Sequence, residues 1–378
     1  MQFFGRFKKR AAHAVKNIMT LLTQRVYGGL SGSYPSQWYY TNTTWQAKPV
    51  SVAADRYTLV SPASIQVDVG NVSLTQVSAV NLDLSVAANW DSSTYATAAN
   101  RAGLDFYVYL CQPVTGSLPV LLLSAAATYP SGYSGTTSRK VGGFHCLCNS
   151  AGTISGNTLT GYVTGDILPA SVWDLTFRAE SSNVGMTYHA GLGAWLDIYM
   201  VSGTGASTTS VYGATISDTR SQYDFVDDLA AVKKRLCFDH EFTAAAYGSN
   251  EGTNITGSAD PNTTGGHSDT AGQRMISNIG CEDCCGVEWQ WLNDSLAIDD
   301  TNTNTFAWKA VTGSRGQVYA EGTYGFYKLI AGGSWGSGSY CGSRSRTVDN
   351  FAWSYNSSIG ARGLSLKRRQ TKQYYCFR

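Results

Sequence analysis

Two blocks in the last third of the chain constrain its fold more than any other feature. The first reads Gly280-Cys281-Glu282-Asp283-Cys284-Cys285-Gly286-Val287-Glu288-Trp289-Gln290-Trp291. The second is discontinuous: Gly332-Gly333-Ser334-Trp335, then Gly342-Ser343-Arg344, then Gly360-Ala361-Arg362-Gly363. Trp289 and Trp291 alternate, so in a strand both point to one face. Gly332-Gly333 allows two backbones to approach where no side chain fits. Arg344 and Arg362 each offer a planar fork that can pin carbonyls or carboxylates in loops lacking a ladder. Between these markers, 335–358 is built almost wholly from Ser, Gly, Asn, Tyr, Trp, Phe and Arg. That is the composition of a paratope, where rigid aromatics give area and small polar residues adapt.

The rest of the chain is consistent with a mainly β, α+β protein. Charged residues make up only 14%, and 40 Gly stand against 8 Pro, which leaves little material for solvated helices. At 378 residues the chain is long enough for two or three domains. The net charge of +2 conceals a split. Residues 1–25 and 362–378 hold 12 of the 28 basic residues and no acid, whereas 26–361 carries 16 basic against 26 acidic, a net of −10. An acidic body argues against a specific nucleic-acid partner, whose basic patch would sit on the fold. The basic ends are either solvated tails or docking arms for an acidic neighbour.

Phe4, Phe7, Ala11, Val15, Ile18, Leu22 and Val26 recur at helical spacing, predicting a basic amphipathic helix within 1–28 that needs a partner for its stripe. A Gly/Ser linker follows. Short alternating segments (Ser64–Val69, Leu82–Val86, Asp105–Leu110, Pro119–Leu123) predict an antiparallel, sandwich-like structural domain over 29–165. Residues 166–236 read as connecting strands at 173–178 and 194–199 plus a short helix at Asp227–Leu236. From 237 to 378 the chain is loop-rich, a form usually tied to function.

The longest apolar run, Pro119–Ala127, is too short to cross a membrane. His13, Lys16 and Asn17 interrupt any signal-peptide core. Nine cysteines, an odd number without scaffold spacing, point to folding in a reducing cytoplasm. The Cys281–Cys285 run has no second ligand pair, so no metal site is assigned.

The two blocks resemble the C-type lectin-like fold in its formylglycine-generating-enzyme subtype. The likeness spans roughly 237–366 and rests on Gly-x-x-Asp-x-x-Gly-x-x-Trp-x-Trp, Gly-Gly-Ser-Trp and the arginine segments in the right order. The closing Gly360-Ala361-Arg362-Gly363, in place of Gly-Phe-Arg, is similar to the variable proteins of diversity-generating retroelements. In that family the C-terminal lectin fold displays a hypervariable patch that binds host-cell receptors. The resemblance implies a phage virion protein, made in the host cytoplasm, that binds a host-surface protein or glycan.

Carried onto this chain, the resemblance makes Trp289, Trp291, Gly332, Gly333, Trp335, Gly342, Ser343, Arg344, Gly360, Arg362 and Gly363 scaffold. It makes Ser337, Ser339, Tyr340, Thr347, Asp349, Phe351, Ala352, Ser354, Tyr355 and Ser357 the exposed variable patch. The bland alternative is that Tyr340, Phe351 and Tyr355 are ordinary core aromatics. The N-terminal arm would attach to other virion proteins, and a homo-oligomer, with a trimer favoured, would multiply weak contacts. The basic tail from 364 is unexplained by the resemblance.

Enzymatic readings fare worse. The formylglycine-generating enzyme's cysteine pair is incomplete, since Cys341 has no close partner and position 336 is Gly. His240 and His267 lack a nucleophile elbow. Trp291-Leu292-Asn293-Asp294 and Asp299-Asp300 do not amount to a calcium cage of roughly 6–8 oxygens. No catalytic residue, cofactor or metal is expected. The competing functional readings are a purely structural virion protein and a cellular surface protein of the same fold.

Overall fold

In the computed structural model, the described residues are 46–47, 56–62, 65–116, 118–298, 307–310, 316–320 and 325–368. The helix expected within 1–28, the linker after it and the tail beyond 368 lie outside them.

Among the described residues strand predominates over helix, and helices are few. The first half contributes β1 (Gln46–Ala47), β2 (Thr58–Val60), β3 (Ile65–Val69), β4 (Val72–Gln76), β5 (Asn81–Asp83), β6 (Asp105–Cys111), β7 (Val120–Ser124), β8 (Ser138–His145) and β9 (Trp173–Asp174). These pair antiparallel in three small sheets, β1-β2-β5, β3-β4 and β7-β6-β8-β9. In β3 the expected alternation holds: Ile65, Val67 and Val69 are buried while Gln66 and Asp68 face water. They join Phe106, Val108 and Leu110 of β6 and Phe144 of β8 in one apolar core.

Two expected strands are shorter than their sequence pattern, for one local reason. Asp83 Oδ1 accepts from the amide and hydroxyl of Ser85 (2.7 and 2.6 Å), so β5 ends at Asp83 instead of running to Val86. Asp174 Oδ1 likewise accepts from the amides of Thr176 and Phe177, both at 2.7 Å, and turns the chain at once after β9.

The second half holds β10 (Met186–His189), β11 (Ala194–Asp197), α1 (Gln222–Ala231), β12 (Arg235–Leu236), α2 (Asp239–Ala245), β13 (Trp289–Ile298), β14 (Ala307–Ala310), β15 (Gln317–Ala320), β16 (Gly325–Gly332), β17 (Gly342–Asn350), β18 (Ile359–Ala361) and β19 (Gly363–Leu366). One sheet runs β10-β11-β19-β12, the other β14-β15-β17-β16-β13-β18. Of the strands of 166–236, read from sequence as connectors, β11 and β12 hydrogen-bond to β19 and β10 pairs with β11, whereas β9 pairs with β8 of the first half. All but β9 thus share a sheet with β19.

The short helix is displaced from the expected Asp227–Leu236. Its start is fixed by a capping box, in which Ser221 Oγ accepts from the Asp224 amide and Asp224 accepts from the Ser221 amide. Its end is fixed by Lys233, whose φ of 61° is left-handed. Lys234 and Arg235 therefore do not cap the helix. They pair with Asp197 and Glu241 at 2.5 and 2.6 Å.

Candidate functional site

The C-terminal unit consists of a largely buried frame carrying an exposed segment, and the frame begins at β13. Trp289 and Trp291 point to the same side, as their spacing requires, and pack with Phe225 and Leu229 of α1 and Ile330 of β16. On the opposite side of the same strand, buried Gln290 donates to the Asp283 carbonyl at 2.9 Å and accepts from Arg362 Nε at 3.1 Å.

Arg362 stands between β18 in the six-stranded sheet and β19 in the four-stranded sheet. Its guanidinium is fully buried and donates to the carbonyls of Asp197 (2.7 Å), Ile198 (2.6 Å) and Glu282. One planar fork therefore ties the end of β11, the loop before β13 and β13 itself at the point where the chain changes sheets. The fork expected from sequence at Arg362 is made. A second belongs to Arg346, which the sequence reading did not single out. Its Nε meets Asp239 Oδ1 at 2.5 Å, Nη1 reaches the Ser343 and Ser345 carbonyls, and Nη2 reaches Thr243 Oγ1 at 2.6 Å. Arg344 is half-buried.

The small residues of the frame are required by space. A Cβ at Gly332 (φ +97°) would lie 2.3 Å from the Cys284 carbonyl oxygen, and one at Gly333 (φ +93°) 2.8 Å from Cys341 Sγ. A Cβ at Gly360 would meet Glu288 Oε2 and Met200 Cε, each at 2.5 Å, and one at Gly363 would meet Asp197 Oδ2 at 2.4 Å. Gly342 pairs with Gly332 across β16 and β17. Ser343 is held by Glu251, which accepts from its amide at 3.0 Å and its hydroxyl at 2.6 Å. Half-buried Trp335 donates its amide to the Val287 carbonyl at 2.9 Å.

On this frame the expected patch residues divide. Ser339, Tyr340, Asp349, Tyr355 and Ser357 are exposed, and Ser337, Phe351 and Ser354 are half-buried. Tyr355 is 69% and Tyr340 37% exposed, so neither is a core aromatic. Thr347 and Ala352 contradict the expectation of exposure, being 4% and 5% exposed. Thr347 lies in β17 paired with Ile330, and its hydroxyl donates to Asp349 Oδ1 at 2.6 Å. The Ala352 carbonyl accepts from the Gln222 amide at the start of α1, which draws its methyl inward.

Sequence reasoning also missed Trp353, which is 64% exposed. It caps a column of rings: Trp353 stacks on Phe351 (4.8 Å, 5°), and Phe351 on Tyr327 of β16 (4.7 Å, 24°). A second column comes from the β14–β15 hairpin, where Trp308 stacks on Tyr340 (4.3 Å, 3°) and lies 6.3 Å from Trp289. The alternation of exposed and inward residues in 349–355 was legible in principle. The hairpin's contribution was not, because nothing in the local pattern says where residue 308 meets residue 340.

One buried acid stands out behind the frame. Glu288 has no exposed surface, and neither carboxylate oxygen has a hydrogen-bond partner among the described residues. Burial, reinforced by Asp218, Asp260 and Asp283, pushes its carboxyl up to about 9. The eight described cysteines are buried and unpaired, and burial pushes Cys111 and Cys341 up to about 12. Among the described residues no group of three or more His, Cys, Asp or Glu side chains forms a candidate metal cage. No described helix is long and apolar enough to cross a membrane.

Comparison with known proteins gives a consistent result. Residues 56–174 match the family model described as the Mtd second domain. A tail fiber receptor-binding protein of Bordetella phage BPP-1 is 30% identical over a 351-residue alignment that covers 82% of this chain and 86% of that protein. Among solved structures, the M1 variant of the Major Tropism Determinant superposes with a TM-score of 0.66 at 26% identity, covering 89% of this chain and 86% of the other. The U1 variant gives a TM-score of 0.63 at 27% identity, covering 83% and 82%.

Proposed function

Since the chain belongs to the tropism-determinant family of phage tail-fibre receptor-binding proteins, the variable proteins of diversity-generating retroelements, we propose that it is the virion component that attaches the phage to its host. The C-type lectin-like unit presents the receptor-binding face. That face comprises Ser337, Ser339, Tyr340, Asp349, Phe351, Ser354, Tyr355 and Ser357 from the expected patch, with Trp353 added and with Thr347 and Ala352 beneath it.

The observation that carries this reading is the division of labour around residues 335–363. Most frame residues are buried, with Trp335 and Arg344 half-buried, whereas the intervening segment exposes Trp353 and Tyr355 on a fixed turn. The turn is closed by the Ser354 amide donating to the Phe351 carbonyl at 2.9 Å and by the Phe351 amide donating to Ser354 Oγ at 3.1 Å. A surface held in place before the ligand arrives loses less conformational freedom on binding. Few rigid aromatics then supply most of the contact energy, with Ser and Asn at the rim.

Residues 1–28 serve in this reading as the arm that joins other virion proteins, and assembly into a homo-oligomer, favoured as a trimer, multiplies single-site contacts. The test is adsorption to susceptible cells after replacing Tyr340, Phe351 and Tyr355 by Ala together. Adsorption should fall while the variant keeps its fold by circular dichroism. Full adsorption by the folded variant would refute the patch.

A further inference from the structure

We infer that Trp353 and Tyr340 are flat stacking platforms for pyranose rings, so that the ligand of the receptor-binding face is a polysaccharide of the host envelope. This rests on the receptor-binding reading above and specifies the chemistry of its ligand.

The argument is geometric. Trp353 lies nearly parallel to Phe351, 5° between planes at 4.8 Å, yet 64% of it is exposed. One face is covered and the other is turned to solvent. Tyr340 repeats the arrangement on Trp308, with 3° between planes at 4.3 Å. Both exposed rings, 64% for Trp353 and 37% for Tyr340, are backed on one face by a second aromatic.

Protein hot spots work differently. An aromatic anchor there projects into a desolvated pocket of the partner and is enclosed on several sides. Trp353 and Tyr340 are each held against a second ring, so each offers a supported ring surface in place of a free-standing side chain. An open aromatic face carries the negative lobe of the ring quadrupole. It suits a flat, weakly apolar face edged with hydrogen-bonding groups, and a pyranose ring has that form: slightly positive C–H groups across its face and hydroxyls around its rim. Weak C–H contacts of this kind add to the apolar burial.

The residues beside the platforms match the rim. Asp349 is exposed, and its Oδ1 accepts from Thr347 Oγ1 at 2.6 Å and Asn350 Nδ2 at 2.7 Å. Oδ2 accepts no hydrogen bond among the described residues and is available to a sugar hydroxyl. Tyr355 has no ring partner among the described residues, so it is not a platform in this sense.

The experiment uses the fluorescently labelled full chain on cells susceptible to the phage that carries it. Cells are left untreated, oxidised with periodate to open sugar diols, or stripped with proteinase K. Binding lost after periodate and retained after proteinase K is expected. Binding lost after proteinase K and retained after periodate would overturn the polysaccharide and leave the receptor-binding reading intact. Absence of binding to untreated cells would overturn the receptor-binding reading itself.

A second arm tests the rings on untreated cells. Trp353→Ala should weaken binding roughly tenfold, a single hot-spot truncation. Trp353→Phe, which keeps a flat ring on Phe351, should stay within about threefold of the parent. Tyr340→Ala should weaken binding more than Tyr355→Ala. Equal binding by Trp353→Ala and the parent, both folded, would overturn the platform assignment.

Discussion

Replacing Glu288 by Gln should make the protein more stable, by an amount that grows with pH. The carboxyl is fully buried and unpartnered, and its pKa is raised from 4.5 to about 9. Between those values the folded protein holds a proton that the unfolded chain has released. Stability from this group is therefore fully present below pH 4.5, falls steadily as pH rises, and levels off above about pH 9. One pH unit is worth about 1.4 kcal/mol, so the loss at pH 7 relative to a non-titrating side chain is about 3 kcal/mol, and at pH 5 less than about 1 kcal/mol. Gln keeps the volume and removes the titration. The assay is urea unfolding of parent and variant from pH 5 to pH 8.5, read as the difference between their midpoints. The difference should widen in favour of Glu288→Gln with a slope approaching one proton. A constant offset across that range would refute the reasoning, because it would mean that the buried carboxyl does not retain a proton on folding.

Other perturbations follow from the frame. Arg362→Met should remove the guanidinium donor from three buried backbone carbonyls, of which only that of Ile198 keeps the Glu282 amide at 2.7 Å among the loop contacts, at about 1–3 kcal/mol for each carbonyl left unsatisfied, and abolish cooperative unfolding of the C-terminal unit in a thermal scan. Arg362→Lys should rescue little of this, because an ammonium cannot span the fork. Gly332→Ala should be more damaging than Gly360→Ala. Both place a methyl within 2.5 Å of another atom, but only Gly332 also has a left-handed φ, which should appear as a larger drop in melting temperature or as insoluble protein. Ser221→Ala removes the α1 cap and should lower the stability measured in urea by about 1 kcal/mol. Deleting residues 1–27 should leave the lectin-like unit folded by circular dichroism but keep the chain out of particles in a virion immunoblot.

What the sequence made legible was mostly the frame. Trp289, Trp291, Gly332, Gly333 and Arg362 carry their reasons in residue type and spacing: a shared strand face, a backbone approach, a fork. Strand positions in the first half were legible wherever alternation was clean, as in β3. Ends were not, because a single Asp side chain at 83 or 174 closes a turn that hydrophobic patterning does not register. The α1 boundary is not legible because Lys233, Lys234 and Arg235 resemble a basic C-terminal turn, while the true markers are the Ser221–Asp224 box and the left-handed residue at 233. Thr347 and Ala352 lie inward although the composition of the variable segment reads as one exposed surface. Within it, strand β17 and the turn at 351–354 still send alternate side chains inward.

That last point sorts the patch more finely than composition does. Some exposed or half-exposed polar residues hold the turns themselves: Ser337 Oγ accepts from the Ser334 amide at 3.0 Å, Ser354 Oγ from the Phe351 amide, and Asn356 Oδ1 from the Ser358 amide at 3.0 Å. Others, Ser339, Tyr355 and Ser357, make no side-chain hydrogen bond among the described residues. A display surface can change freely only where a side chain contributes to the ligand and not to its own loop. Substitution at 339, 355 and 357 should therefore alter binding with stability changes within about 0.5 kcal/mol, as for ordinary surface positions. Substitution at 337, 354 and 356 should loosen the loop as well and weaken binding to every ligand alike. Measuring melting temperature alongside adsorption for one variant from each group separates the two. Equal thermal shifts in both groups would mean that the segment draws its shape from the frame alone.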